Sequence, residues 1–250
     1  GLAQGDRVAL FMGNHPSYLE LMYAAWWAGL VVVPVNAKLH PKELAWIVGH
    51  AQAEVLCVSD DLAAGVADAD AACRATLTPG TDGYPQALQV MTACYVMDVD
   101  GIDPGDAIVY AAPMSHGAGI YNFGFVAMAA RHVVPASGGF DPAELVALSR
   151  SVGRLCFFAA PTMVKRLVEH AAAAGVGGFD GFKTIVYGGG PMYVEDIRQA
   201  LQVMGPRFVQ IYGQGESPMT ITWLARCMHV PADHPSSEPS LASVSRPHTD

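Results

Sequence analysis

The sequence predicts an α/β fold in which parallel strands are joined by helical crossovers. Three observations lead there. Short β-branched runs alternate with helical stretches nearly throughout, which is the order that builds parallel sheets. Prolines stand at several helix starts, where a missing N–H does no harm. A chain of 250 residues that is 52% hydrophobic and only 15% charged can bury a substantial core.

RVALFM (Arg7 to Met12) is a β-rich run followed by Asn14, His15 and Pro16, and an apolar helix is expected from there through Ala28, ending at Gly29. VVVPVN (Val31 to Asn36) reads as a strand, PKELAWIVGH (Pro41 to His50) as a helix and EVLCVSD (Glu54 to Asp60) as a third strand. The alternation resumes with AIVYAAP (Ala107 to Pro113), a glycine-rich apolar helix from Gly117 to Ala130, and HVVP (His132 to Pro135). Asp141-Pro142-Ala143-Glu144 signals a helix start, with Asp as N-cap and Glu placed to complete a capping box. RLCFFAAP (Arg154 to Pro161), a helix over about Thr162 to Ala174, TIVYGGG (Thr184 to Gly190) and a helix from Pro191 to about Met204 follow. FVQIYG (Phe208 to Gly213) and MTITWL (Met219 to Leu224) close the series.

Two stretches break the pattern. Ala63 to Ala75 is rich in alanine and aspartate without a strand, and Pro231 to Asp250 carries four prolines and five serines without periodicity. Residues 1–230 are therefore expected to form one partial domain, with two sub-sheets parted near 62–106, and residues 231–250 a loop or frayed tail. No final packed element closes the chain, which reads as stopping in mid-domain.

Composition excludes several function classes. A net charge of −9 without a Lys/Arg cluster argues against a nucleic-acid surface, because phosphate backbones are bound through clustered cations. No apolar run approaches the roughly 18 residues of a membrane span, and the first thirty residues lack a secretion-signal pattern, so a cytoplasmic chain is expected. Cys57, Cys73, Cys94, Cys156 and Cys227 are odd in number and contain no CxxC pair, which argues against a disulfide framework or a zinc site.

Ligands of open parallel sheets bind beyond the strand ends, so three strand-end segments carry most of the functional information. PMSHGAGIYNF (Pro113 to Phe123) places His116 before a flexible Gly117-Ala118-Gly119 turn. It half-fits a dinucleotide fingerprint, but Asn122 occupies the third glycine position. It also half-fits a nucleophile elbow around Ser115, although Pro113 stands where glycine is needed. GGGPM (Gly188 to Met192) lets the backbone approach a flat ligand closely, and a helix N-terminus after it would favour a negative group. IYGQGES (Ile211 to Ser217) supplies an aromatic ring, two glycines and Glu216, a reasonable carboxylate for nucleotide-bound Mg²⁺.

These segments, in this order, resemble the adenylate-forming superfamily and specifically the AMP-forming acyl-CoA synthetases. GDRVALFMGNHPSYLELMYAAWWAGLVVVPVN (Gly5 to Asn36) resembles that family's N-terminal block, and LHPKELAWIVGHAQAEVL (Leu39 to Leu56) the segment after it. PMSHGAGIYN resembles its histidine-bearing acyl-site motif and FFAAPTMVKRLV (Phe157 to Val168) the element that follows. GGGPM and YGQGES resemble its adenine-binding and magnesium-binding motifs.

The resemblance implies part of the large N-terminal domain of the adenylate-forming fold, without its small C-terminal domain. It implies that Gly188, Gly189, Gly190 and Pro191 line the adenine and that Tyr212 stacks on it. Gln214 and Gly215 would lie beside the α-phosphate or acyl carbonyl, Glu216 would hold Mg²⁺, and His116 would sit near the reacting carboxylate. Many family members have threonine at the position of Gly215, so a backbone N–H would replace that hydroxyl contact. The implied chemistry activates a carboxylic acid with ATP to an acyl-adenylate, which coenzyme A then captures. The expected helix from Gly117 to Ala130 is apolar and lacks a cation, which favours an apolar acid over a dicarboxylate.

The family's phosphate loop, TSGTTGxPKG, has one candidate here, TPGTDGYPQA (Thr78 to Ala87). On that alignment Pro79 removes a donor, Asp82 adds negative charge and Gln86 replaces the lysine. At about 4 Å and an effective dielectric of about 20, one misplaced unit charge costs on the order of 4 kcal/mol. Alternatively PGTDGYPQAL (Pro79 to Leu88) resembles the family segment PGTxxYxxLL upstream of the loop, with Tyr84 and Leu88 in place. Several tens of residues, including the loop, would then be absent between about Leu88 and Gln89. Either way this chain is expected not to catalyse adenylation, since the ribose-binding Asp and catalytic Lys are not in the sequence either. A non-catalytic nucleotide or acyl-adenylate binding module remains an alternative, and an α/β hydrolase using Ser115 a remote one.

Overall fold

The computed structural model describes residues 1–66, 91–173, 175, 179–214, 217–219, 221–229, 241–243 and 246–247. TPGTDGYPQA therefore lies outside the described residues, as do Cys73, Gly215 and Glu216. The chain divides into two compact units, one of Gly1–Gly83 with Pro113–Gly119 and one of Tyr84–Ala112 with Ile120–Asp250.

In unit one β1 (Arg7–Met12), α1 (Pro16–Trp27), β2 (Val31–Asn36), α2 (Pro41–Ala51) and β3 (Ala53–Val58) alternate as the sequence predicts. The three strands form a parallel sheet in the order β2-β1-β3. Pro34 sits in edge strand β2, where its lack of an N–H is tolerated. Ala9, Phe11, Val35, Leu44, Val48 and Ala53 form the core. Both helices use histidine as N-cap: His15 Nδ1 accepts from Ser17 N at 3.1 Å, and His40 Nδ1 from Lys42 N at 3.2 Å. Glu43 completes the box at α2 by accepting from His40 N at 2.9 Å.

Unit two opens with a helical turn at 91–94 that runs into a wider π-turn, Tyr95–Val99. Then come β4 (Ala107–Val109), α3 (Asn122–Ala127), β5 (Arg131–Val133), α4 (Pro142–Val152), β6 (Leu155–Ala159), α5 (Pro161–Ala173) and β7 (Phe182–Tyr187). The unit continues with α6 (Val194–Met204), β8 (Phe208–Tyr212), β9 (Thr222–Leu224) and β10 (Arg246–Pro247). The sheet order is β10-β9-β8-β7-β6-β4-β5, parallel from β8 to β5 and antiparallel at β9 and β10. On α5, Val164, Leu167, Val168 and Ala171 recur at helical spacing and are buried. They pack in one cluster with Leu145 and Val146 of α4, Phe157 of β6, Ile185 of β7 and Ile197 of α6. Each fully buried Val, Leu, Ile or Phe among them contributes roughly 1.5 to 3 kcal/mol of burial free energy.

Three expectations are corrected. The apolar helix expected from Gly117 to Ala130 shrinks to α3, preceded by a 3-10 turn at Gly119–Tyr121. The chain doubles back first: His116 N donates to Pro113 O at 3.1 Å and Gly119 N to His116 O at 2.9 Å. A Cβ on Gly119 would lie 1.7 Å from Met114 O, so that fold-back requires glycine. The last helix starts at Val194 instead of Pro191, because Tyr193 is still extended with φ −74° and ψ 142°. Asp141 caps α4 by accepting from Glu144 N at 2.8 Å, but Glu144 does not return to it. Its carboxylate accepts instead from Ala136 N at 2.5 Å, tying the preceding loop to the helix. Of residues 231–250, the described Leu241 is buried in the core and β10 pairs with β9.

An ion cluster ties the N-terminal ends of the central strands of unit two together. Asp106, just before β4, holds Lys183 Nζ of β7 at 2.6 Å and Arg154 of β6's leading turn at 2.6 Å. Lys183 also reaches Asp100 at 3.0 Å and Gly101 O at 2.7 Å, and Arg226 lies 3.5 Å from Asp100. Arg154 additionally pairs with Asp103. Asp100 and Asp106 are buried. Burial pushes the Asp106 carboxyl up, but hydrogen bonds from Lys183, the Asp103 backbone and Arg154 outweigh it and hold it below the usual carboxylate range. Burial likewise pushes Lys183 down, and its bonds to Asp106 and Asp100 more than offset that.

On β7, the Tyr187 hydroxyl lies 3.0 Å from His229 Nε2, while His229 Nδ1 lies 2.8 Å from Ala225 O. A carbonyl only accepts, so Nδ1 carries the proton and Nε2 accepts from Tyr187. Burial pushes His229 down to about 4. The described residues contain no helix long and apolar enough to cross a membrane, and none of the four described cysteines forms a disulfide.

Two outcomes are expected. Lys183→Ala leaves two buried carboxylates without their shared cation, and urea unfolding should show a loss of about 3 to 5 kcal/mol. His229 is neutral in the fold at a pH where an unfolded histidine is charged, so stability should fall as pH drops from about 6.5 to about 4. The shift corresponds to a loss on the order of 3 kcal/mol, and His229→Gln should flatten that window while leaving the further decline below pH 4 that Asp106 contributes.

Candidate functional site

The glycine run follows β7 directly. Gly188 is buried, and a Cβ there would lie 2.6 Å from Ile211 Cδ1 and 2.7 Å from Ile211 O, so only glycine lets the ends of β7 and β8 meet. Its N–H donates to Ala159 O of β6 at 3.3 Å. Gly189 has φ +76°, the left-handed region that favours glycine. Gly189, Gly190 and Pro191 are exposed, presenting bare backbone. Beneath them lie the Phe158 ring, 3.8 Å from where a Gly189 Cβ would be, and Pro161, 3.8 Å from the same point on Gly190.

Tyr212 ends the neighbouring strand β8 and is 40% exposed, unusual for a large ring in a sheet. Gln214 Nε2 donates to its hydroxyl at 3.0 Å. Gln214 N donates to Ser217 O at 3.1 Å and Ser217 N to Gln214 O at 3.2 Å. Gly213 makes this possible, since a Cβ there would lie 2.1 Å from Met219 N. Gly188 to Pro191, Tyr212 and Gln214 thus lie at the C-terminal ends of two adjacent parallel strands, the position where open sheets take ligands.

His116 belongs to unit one. It is exposed, in a loop whose Met114 N–H donates to Asn14 Oδ1 at 2.8 Å. Asn14 itself follows β1, and the neighbouring Gly13 N donates to Ser59 Oγ beyond β3 at 3.3 Å. Asn14 and Phe158 shape the candidate residues' surroundings but were not among the candidate site residues read from sequence, and Gly213 was read there only as one of two motif glycines. The rule that found the others, attention to residues just past a strand, reaches Asn14 and Gly213 as well.

An exposed ring beside bare glycine backbone suits a flat heteroaromatic base, because stacking needs only a π-face and the backbone supplies polar edges. No group of three or more His, Cys, Asp or Glu among the described residues could hold a metal ion.

A sequence model of the AMP-binding enzyme family matches residues 1–87 and 67–250 of this chain. The chain is 25% identical over 279 aligned positions to the fatty acid–[acyl-carrier-protein] ligase ScoC of Streptomyces coeruleorubidus, covering 92% of this chain and 53% of that protein. It is 26% identical over 259 positions to a feruloyl-CoA synthase of Amycolatopsis sp, covering 90% of this chain and 52% of the relative. It thus spans about half the length of these curated relatives. Among solved structures it superposes on the amide bond synthetase McbA of Marinactinospora thermotolerans with a TM-score of 0.81 at 20% identity, covering 99% of this chain and 57% of that one. On the N-terminal domain of FACL13 from Mycobacterium tuberculosis the TM-score is 0.75 at 20% identity, covering 99% and 70%. At that identity the structural likeness speaks for the fold, the N-terminal domain of adenylate-forming enzymes. Matched along both of its stretches by the family's sequence model, the chain belongs to the AMP-binding enzyme family.

Proposed function

We propose that this chain is the nucleotide- and acid-binding portion of an AMP-forming acid–thiol ligase and that, by itself, it binds AMP without carrying out adenylation. The observation that carries the binding half is the bare backbone of Gly189 and Gly190 beside the exposed Tyr212 ring. Adenine lies against Gly188 to Pro191 with Tyr212 stacked on it, and Gln214, held to the Tyr212 hydroxyl, faces the α-phosphate or acyl carbonyl together with Gly215. Glu216 is the carboxylate for Mg²⁺, whose contribution is to neutralise phosphate charge. His116 attends the reacting carboxylate of an apolar acid, and coenzyme A is the thiol acceptor.

The absence of adenylation follows from the missing triphosphate cradle. Family phosphoryl chemistry depends on positioning and on cations and N–H groups around the phosphates. Between Val58 and Ala107 this sequence offers only TPGTDGYPQA, with neither the lysine nor the third threonine. Two features support a deleted loop over a degenerate one. The family's sequence model matches in two overlapping stretches instead of one. The alignment to the Streptomyces relative also runs over 279 positions while covering 92% of a 250-residue chain, which leaves many positions with no residue here.

Titration calorimetry with AMP should give a saturable isotherm, and Tyr212→Ala should weaken it at least about fivefold, the loss of one base–aromatic stack. Gly188→Ala should abolish binding while lowering the melting temperature, because its Cβ drives β7 and β8 apart. Acid-dependent exchange of pyrophosphate into ATP should stay at background for the purified chain. Robust exchange would overturn the second half of the proposal.

A further inference from the structure

Tyr121 carries a hydroxyl that none of the described residues satisfies. The residue is 2% exposed, and among the described residues its Oη has no hydrogen-bond partner. Other deeply buried tyrosines of the unit are provided for: Tyr110 Oη lies 2.8 Å from His132 Nδ1 and Tyr187 Oη 3.0 Å from His229 Nε2. A buried hydroxyl without a partner is destabilising, and phenylalanine would fill the same space without that penalty. Such exceptions call for a specific cause, commonly a ligand or water that completes the bond.

The surroundings indicate where that ligand lies. The Tyr121 ring stacks on Phe158 with centroids 5.5 Å apart and planes 24° apart, while Tyr95 meets it edge-on at 4.9 Å. Phe158 is the same ring that underlies Gly189 of the glycine run. An aromatic series therefore leads from the candidate nucleotide site inward to an unsatisfied hydroxyl. In sequence, Tyr121 follows His116 by five residues, within the segment expected to serve the acid. Burial pushes its phenol up, so at neutral pH it remains a donor.

We infer that Tyr121 is a specificity-determining residue whose hydroxyl donates a hydrogen bond to an acceptor oxygen on the ring of an aromatic carboxylic acid. This rests on the acid-ligase reading of the chain and narrows its substrate class. The flanking rings favour a planar arene over a flexible aliphatic tail, and the single donor selects one ether, hydroxyl or carbonyl oxygen on it.

The test uses the full chain, AMP, and sulfamoyl-adenosine analogues of benzoic, 3-methoxybenzoic and 4-methoxybenzoic acid, whose methoxy oxygens can only accept. Calorimetry should show at least one methoxy analogue binding about fivefold to tenfold more tightly than the benzoyl parent. In Tyr121→Phe that preference should fall within about twofold, benzoyl and AMP binding should be retained, and the melting temperature should rise as the orphan hydroxyl disappears. Equal binding of all three analogues by the wild-type chain, or an undiminished preference in Tyr121→Phe, overturns the inference while leaving AMP binding standing. Failure of AMP and every analogue to bind overturns both it and the nucleotide-site proposal.

Discussion

The buried Asp106–Lys183 pair, with Asp100 and Arg154 around it, is the constraint on which the rest of unit two depends. Two carboxylates removed from water are tolerable only if cations and N–H groups surround them. Meeting that demand brings the leading ends of β4, β6 and β7 to one point, and Arg226 brings the turn after β9 to the same cluster. Because parallel strands run the same way, clamping their beginnings in register also sets where they stop. The glycine run and Tyr212 sit at those stops.

At the opposite end of the sheet, the site is made by what is left out. Tyr187, the last residue of β7, is buried against Phe208 and bonded to His229, so it anchors the strand. The next residue, Gly188, has no side chain at all and lets Ile211 of β8 close in. Gly189 then turns through a left-handed conformation that a side chain would resist. Anchoring and bareness in consecutive residues leave exposed backbone directly beyond a buried strand end. Gly213 repeats the device just past β8, where a Cβ would lie 2.1 Å from Met219 N.

The two parts of nucleotide recognition make different physical demands. A phosphate chain needs cations and N–H groups, and the proposed lack of adenylation rests on Thr78 to Ala87, where Asp82 stands in place of a threonine and Gln86 in place of the lysine. A nucleoside needs backbone shape and a stacking face, neither of which requires such cations. The proposed AMP binding and the proposed lack of adenylation are therefore compatible within one chain.

Much of this was legible in the sequence. Strand and helix alternation, Pro16 and Pro41 at helix starts, the Asp141 cap, and glycines placed just past strands are local signals with local causes. Where local signals failed, distant atoms were responsible. The apolar run after Gly117 does not continue as one helix because Met114 O occupies the space beside Gly119, and the last helix waits for Val194 while Tyr193 remains extended. Glu144 left its cap for Ala136, and β10 exists because β9 offers it an edge. Neither the Asp106 cluster nor the orphan Tyr121 hydroxyl has a sequence signature, since partners such as Asp106 and Lys183 are 77 residues apart. The sequence by itself determined the fold class and which residues follow each strand, because periodicity and backbone permissiveness are properties of neighbours. Only the tertiary structure decided which side chains are satisfied and which stay bare, because hydrogen bonding and burial are settled by residues that meet across the fold.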